Sequence, residues 1–329
     1  MLPVPNTSFH MPSTFLLIGI PGLENGDVWI SVVFCALYIL AILGNSSLLY
    51  IIKTEETLHT PMYFFLSMLA LNDLAFCSST VPKTLGIWWV NSGLIDATSC
   101  LAQMFFVHCL SVIESGILAA MAYDRFVAIC SPLRYSSVLT YGLLQNIALV
   151  ILLRAIVVII PLPILAAQLQ YCGGNVVLHS YCDHMAVVNV ACGNKYADSV
   201  YGLAMSLCVT GFDLLIIGLS YSMILRAIFK MPTKVARRKA VGTCSSHISI
   251  IVVAYFCAIF SFITYRFGQN SIPHNVHILS SNFYVLFLPF WNPLIYGMKT
   301  KQIRQRLKSI LFYQSTFPWN RHQSSIKRF

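Results

Sequence analysis

The sequence predicts an all-α membrane protein: a seven-transmembrane helix bundle followed by a short amphipathic C-terminal helix. Three observations predict it. First, the 329 residues are 57% hydrophobic and only 10% charged, where soluble domains carry about 25% charged residues. Second, the apolar residues fall in seven blocks of roughly 20 to 30, the helical length that crosses a hydrocarbon core of about 30 Å. Third, the basic residues are sorted. Lys83, Arg154, Lys195 and Arg266 lie in spans or outer segments, while the other 17 of the 21 Lys and Arg sit at or beyond inner ends. A net charge of +10 in this arrangement is the positive-inside bias of a polytopic protein, not a groove for nucleic acid.

Residues 1–27 read as an extracellular N-terminus, polar and turn-rich, with Asn6-Thr7-Ser8 as a glycosylation sequon. The run FLLIGIPG is too short for a cleavable signal and no basic residue precedes it. The transmembrane domain covers 28–298, with spans expected near 28–52, 62–86, 100–129, 142–168, 197–228, 240–265 and 276–298. Seven spans with an outer N-terminus leave the C-terminus inside. The basic clusters Lys230 to Lys239 and Lys299 to Lys308 fall on that side. In the cytoplasmic tail, 299–329, the stretch KTKQIRQRLKSILF sets Ile303, Leu307, Ile310 and Leu311 on one helical face and bases on the other. That pattern fits a helix lying on anionic membrane lipids.

Four of the 11 cysteines, Cys100 and the evenly spaced Cys172, Cys182 and Cys192, fall on the outer side. An even count in an oxidising compartment favours two disulfides, with three pairings open. A zinc site using His179, His184 and these thiols is the alternative, against which ten-residue gaps count. The other seven cysteines read as buried thiols.

The third span ends in MAYDRFVAIC (121–130). This stretch resembles the third-helix signature of olfactory receptors, rhodopsin-like G-protein-coupled receptors, which usually reads MAYDRYVAIC; Phe126 departs from it. Further stretches resemble the same family in order: Gly44-Asn45, LHTPMYFFLSMLALND (58–73), Ser220-Tyr221, KAVGTCSSH (239–247) and PFWNPLIYGMKT (289–300). HSYCDHMAVV (179–188) is similar to the fish-like, class I branch. The resemblance covers essentially the whole chain. It implies a plasma-membrane receptor for a small volatile odorant, coupled to a heterotrimeric stimulatory G protein that raises cAMP, with no nucleic-acid partner. It implies the disulfide Cys100–Cys182, leaving Cys172–Cys192, and trafficking chaperones as further partners. It also implies an inner cleft toward which Tyr221 and Tyr296 swing.

The motif residues have physical readings of their own. Pro293 breaks the hydrogen-bond ladder of span seven, and Asn292 is placed to re-satisfy a freed group. Asp124–Arg125 reads as a breakable inner latch or as an interfacial anchor. Asp73, Glu114 and Asn45 are polar groups deep in apolar helices. They read either as a hydrated site holding structural Na⁺ as a cofactor or as protonated, hydrogen-bonded acids.

On the outer side, His108, Ser111, Val112 and Ser115 share one face of span three. Class I receptors are associated with carboxylic acids. Arg266 is expected to grip an acidic odorant with two parallel hydrogen bonds, His108 assisting. The alternatives are a snorkelling Arg266 and a satisfied core His108. Phe105, Val112, Met205, Phe262 and Tyr255 are expected to form an apolar wall or plain core, with His184 and Met185 closing the pocket from above. Arg154, inside span four, needs a partner the sequence does not identify.

Other classes fit less well. Amine receptors carry an Asp where this chain has Val107, and opsins a Lys where it has Leu286. A non-olfactory chemosensory receptor for a small metabolite is the nearest alternative. A transporter is remote, because an odd span count lacks an inverted repeat. Enzyme motifs such as HExxH or a phosphate-cradling Gly-rich loop are missing from the sequence.

Overall fold

The computed structural model describes residues 11–20, 27–267 and 272–315; the Asn6 sequon lies outside them. The elements run β1 (Thr14–Leu17), α1 (Asp27–Thr54), α2 (Pro61–Val90), β2 (Leu94–Asp96), α3 (Ala97–Cys130), α4 (Tyr135–Val138), α5 (Tyr141–Ile159) and α6 (Pro161–Gln168). Then follow β3 (Val176–Val177), α7 (His184–Val190), α8 (Tyr196–Lys230), α9 (Lys234–Phe267), α10 (His274–Lys299) and α11 (Lys301–Ser315). Among the described residues, seven helical segments are long and apolar enough to cross a membrane, α5 and α6 together making the fourth. Pro161 starts α6, where the missing amide costs nothing because a first-turn N–H has no partner inside its own helix.

Span α3 is the hub. It packs on α2, α5, α6, α8 and α9 and buries Met104, Ile117, Leu118 and Ala122. Its start is well defined: the Asp96 carboxylate accepts the Thr98 and Ser99 amides at 3.0 and 3.3 Å, an N-cap worth about 1 kcal/mol. Small residues set close approaches in the bundle. A Cβ on Gly44 of α1 would stand 2.9 Å from Pro293 of α10, so only Gly lets these two helices touch here.

The helical bundle also carries one small sheet. β1 pairs antiparallel with β2 (Phe15↔Ile95) and parallel with β3 (Leu16↔Val176), a three-stranded sheet on the outer face. Its cause lies in the run at 14–17, where Phe15 and Leu17 are buried and their neighbours half-buried, the period-2 pattern of a strand. Any side chain on Gly93 would collide with the Leu17 carbonyl. The N-terminal segment is therefore partly a sheet strand rather than only a polar tail.

Span six begins at Lys234, six residues before the expected 240. Lys, Arg and Ala are good helix formers, and the Thr233 hydroxyl accepts the Ala236 amide at 3.2 Å to cap the extension. In α11, Ile303 is buried and Leu307 packs on the core, while Arg304, Arg306 and Lys308 are exposed; the side chains of Ile310 and Leu311 lie outside the described residues. Arg306 pairs with Glu55 at 2.8 Å, tying this helix to the first inner loop.

Candidate functional site

Both outer disulfides form as the resemblance implied, Cys100–Cys182 and Cys172–Cys192, so the zinc alternative has no thiolates left. The first bond ties α3 to the loop carrying α7, and Gln103 reinforces it by accepting the Cys182 amide at 2.9 Å. Asp183 caps α7 through the Met185 amide at 3.1 Å. The loop is thus held as a roof.

Beneath it lies a cavity of about 630 Å³, within the usual range for small-molecule sites. All eight expected ligand residues line it: His108, Ser111 and Val112 from α3, Met185 from the roof, Met205 from α8, and Tyr255, Phe262 and Arg266 from α9. His184 lines it too, as expected of the roof. Phe105 does not; it packs against the core formed with Ile159 and Leu162.

Arg266 is half-buried and turned toward α8. Its Nη2 donates to the Ser199 carbonyl and, at 2.8 Å, to the Ser199 hydroxyl, and its Cζ lies 5.8 Å from the Phe262 ring centre. One nitrogen is thus engaged, and a guanidinium has five N–H donors. His108 Nε2 accepts the His184 amide at 3.3 Å. A backbone N–H can only donate, so this imidazole is neutral at Nε2, with Asp183 3.7 Å away. His184 in turn contacts Asp198 at 2.5 Å. In the loop above, burial holds the His179 imidazole down at about 4, against the pull of Asp183.

The cavity floor is polar. Ser111 and Tyr284 hydroxyls meet at 2.7 Å, and Ser115 stands 2.8 Å from the Tyr255 hydroxyl. Ser115 also donates to Asp213 at 2.6 Å. Asp213 is the partner Arg154 needed, with two contacts of 2.6 and 2.9 Å. Tyr284 and Asp213 were not singled out from the sequence; an arginine inside a span was the signal that an acid must face it. On one wall, Leu207, Leu214 and Ile263 line the cavity and are also exposed on the outside of the bundle.

Deeper in the bundle, Asn292 donates to both oxygens of Asp73 at 3.3 and 3.0 Å. The group freed by Pro293 is the Pro289 carbonyl, four residues earlier, and Asn45 rather than Asn292 re-satisfies it, at 2.7 Å. Glu114 lines the cavity. Among the described residues no group of three or more His, Cys, Asp or Glu is placed to hold a metal ion, so Asp73 and Glu114 alone carry the sodium expectation.

At the inner end, Asp124 holds Arg125 at 2.8 Å and accepts the Tyr135 hydroxyl at 2.7 Å. The Tyr221 hydroxyl meets His247 Nδ1 at 2.7 Å, joining α8 to α9, and Tyr296 is buried. Arg125 and Tyr221 are half-buried and Tyr296 is buried in the bundle.

The olfactory receptor family model matches residues 34–314. Human olfactory receptor 52D1 is 47% identical over 307 residues, covering 93% of this chain and 96% of that protein. Human olfactory receptors 52N4 and 52K1 are each 48% identical, covering 93% and 94% of this chain and 95% and 98% of their own lengths. The chain is not an enzyme but a multi-pass plasma-membrane protein, and it belongs to the olfactory receptor family, in the class I branch.

Proposed function

We propose that this receptor detects a volatile carboxylic acid in the outer cavity and, on binding it, activates a stimulatory G protein that raises cAMP. The observation that carries the acid reading is Arg266, a cation with spare donors on the wall of a cavity lined largely by apolar side chains above a polar floor. In such surroundings a bidentate grip on a carboxylate is strong, because water competes poorly. His108 assists through Nδ1–H.

Transmission follows from α9. Tyr255 touches the cavity floor and His247 holds Tyr221 on the same helix, eight residues or roughly 12 Å apart. A ligand that binds better when α9 has turned at Tyr255 favours separation of Tyr221 from His247 and release of Arg125 into an inner cleft. Only that difference in affinity moves the equilibrium. The N-terminus, with glycosylated Asn6, faces outward, while the basic start of α9 and α11 face the G protein and the inner lipids. Trafficking chaperones assist delivery.

The test is a cAMP reporter assay on surface-displayed receptor with a stimulatory G protein, comparing medium-chain acids with their methyl esters and alcohols. Activation by acids alone supports the reading. Equal activation by esters removes the acid assignment and leaves the receptor assignment standing.

A further inference from the structure

The cavity wall between α8 and α9 faces two ways. Leu207, Gly211 and Leu214 on α8 and Ile259 and Ile263 on α9 line the cavity, and all five are exposed on the outside of the bundle. On each helix they recur at three or four residues, the spacing of a single stripe. The two stripes border a gap between the helices, and since both lie in membrane-spanning segments, the gap opens onto lipid.

The gap has definite ends. At its outer end Arg266 donates to the Ser199 hydroxyl at 2.8 Å. At its inner end Ile224 and Ile228 of α8 pack with Cys244 of α9, and Tyr221 meets His247 at 2.7 Å. Between these ties Val209 anchors α8 in a buried core shared with Cys109 of α3, Ala155 of α5 and Leu162 of α6, with no member from α9 among the described residues. Gly211 leaves the gap unfilled: a Cβ there would meet no atom within 4 Å. The roof is built differently. Phe15, Leu17, Val177, Cys182 and Val188 bury one another in a packed layer, and two disulfides staple its loop.

We infer that ligand enters the cavity sideways from the surrounding lipid, through this window between α8 and α9, so that the pool the receptor samples is odorant dissolved in the membrane. From Leu207 to Leu214 the window is two turns, about 10 Å, tall. Its apolar rim admits an alkyl chain and disfavours a fixed charge. The inference does not rest on the acid reading, because a neutral odorant takes the same route. A carboxylic acid crosses as the uncharged acid and gives its proton to water at the outer end of α9, where Arg266 lies.

The experiment measures access to a thiol inside the cavity of the full receptor in cell membranes. Ser206 lines the cavity, four residues after buried Gly202 and three before buried Val209, so Ser206→Cys places its thiol inward. Cys208 is exposed on the outside of the same helix and, in the unmutated receptor, reports reagent present in the lipid. Ser206→Cys is made together with Cys208→Ser, and the reaction of Cys208→Ser alone is subtracted. The reagents are benzyl methanethiosulfonate, which dissolves in lipid, and sulfonatoethyl methanethiosulfonate, whose anion stays in water; each rate is divided by that with glutathione. The benzyl reagent is expected to react about tenfold faster or more, since a fixed charge is excluded from hydrocarbon. Arg266 attracts an anion, so local repulsion does not account for that difference. Gly211→Trp, which fills the window, is expected to slow the benzyl reaction several-fold. Gly218→Trp, at an equally open and exposed glycine deeper on α8, is expected to leave it unchanged. An anion that reacts as readily as the benzyl reagent overturns the inference, and this arm needs no bulky variant to fold. A surface-delivered Gly211→Trp receptor that reacts at the original rate, or equal slowing by Gly218→Trp, also overturns it. So does a Ser206→Cys thiol that neither reagent reaches while Cys208 of the unmutated receptor reacts. Each of these outcomes leaves the acid reading at Arg266 intact.

Discussion

Arg154 on α5 and Asp213 on α8 form a two-contact ion pair across the bundle, 2.6 and 2.9 Å, with Asp213 1% exposed and Arg154 23%. Ser115 and Tyr255 continue the connection through α3 to α9. The pair fixes the inner floor of the cavity. Removing one partner leaves a buried charge uncompensated, a cost of about 3–5 kcal/mol for a fully buried pair, discounted here for the partial exposure of Arg154. Arg154→Ala or Asp213→Ala is expected to abolish surface delivery, whereas the double variant Arg154→Met with Asp213→Leu is expected to restore much of it. Surface labelling of intact cells reads the outcome; a fully delivered Asp213→Ala contradicts it.

Asn45 repairs the break that Pro293 makes in α10 by bonding the Pro289 carbonyl. Asn45→Ala leaves that carbonyl unmet and is expected to cost about 1–3 kcal/mol. Thermal unfolding of detergent-purified receptor should show a lowered midpoint for Asn45→Ala. An unchanged midpoint would mean that another group takes over the carbonyl.

Tyr221 and His247 hold α8 to α9 at the inner face. Loss of one hydrogen bond of about 1 kcal/mol shifts a two-state ratio roughly fivefold. Tyr221→Phe keeps the ring and loses the bond, but it also removes the hydroxyl that we propose swings into the cleft. His247→Phe isolates the first effect and is expected to raise ligand-free cAMP several-fold at matched surface level. Flat ligand-free signalling in His247→Phe would remove this contact from the latch.

Burial keeps His179 neutral in the folded loop, at about 4 against an ordinary 6.5. A histidine depressed in the folded state makes the loop open more easily as pH falls, because the opened state binds the proton first. The loss begins as pH drops through about 6.5 and is complete near 4, on the order of 3 kcal/mol. Corrected for the intrinsic pH dependence of amide exchange, the protection of residues 176–190 should therefore fall between pH 7 and pH 5, and His179→Gln should flatten that component of the dependence. Equal pH dependence in both proteins argues against a role for this imidazole.

Much of this was legible because the bilayer restricts what a chain can do. Apolar block length located the spans. Helical spacing placed His108, Ser111 and Val112 on one wall. Three things were not legible. Asp213 lies in an apolar run, and nothing in its sequence separation from Arg154 says the two meet; only the packing of α5 and α8 on α3 does. The strand at Thr14–Leu17 needs partners from two distant loops, so its four residues alone read as a coil. Asn292 adjoins Pro293 in sequence and Asn45 does not, and that Asn45 reaches the freed carbonyl depends on how closely Gly44 admits α10.

Arg266 is the group that we propose holds a carboxylate. The most direct measurement is the concentration of octanoic acid giving half-maximal cAMP in the unmutated receptor, Arg266→Lys and Arg266→Ala, at matched surface levels. Charge-assisted hydrogen bonds of about 1.5–3 kcal/mol predict a shift of roughly tenfold or more for Arg266→Ala, with Arg266→Lys between the two, because an ammonium keeps the charge but loses the fork. An Arg266→Ala receptor that responds to octanoic acid at the unmutated concentration would contradict the account.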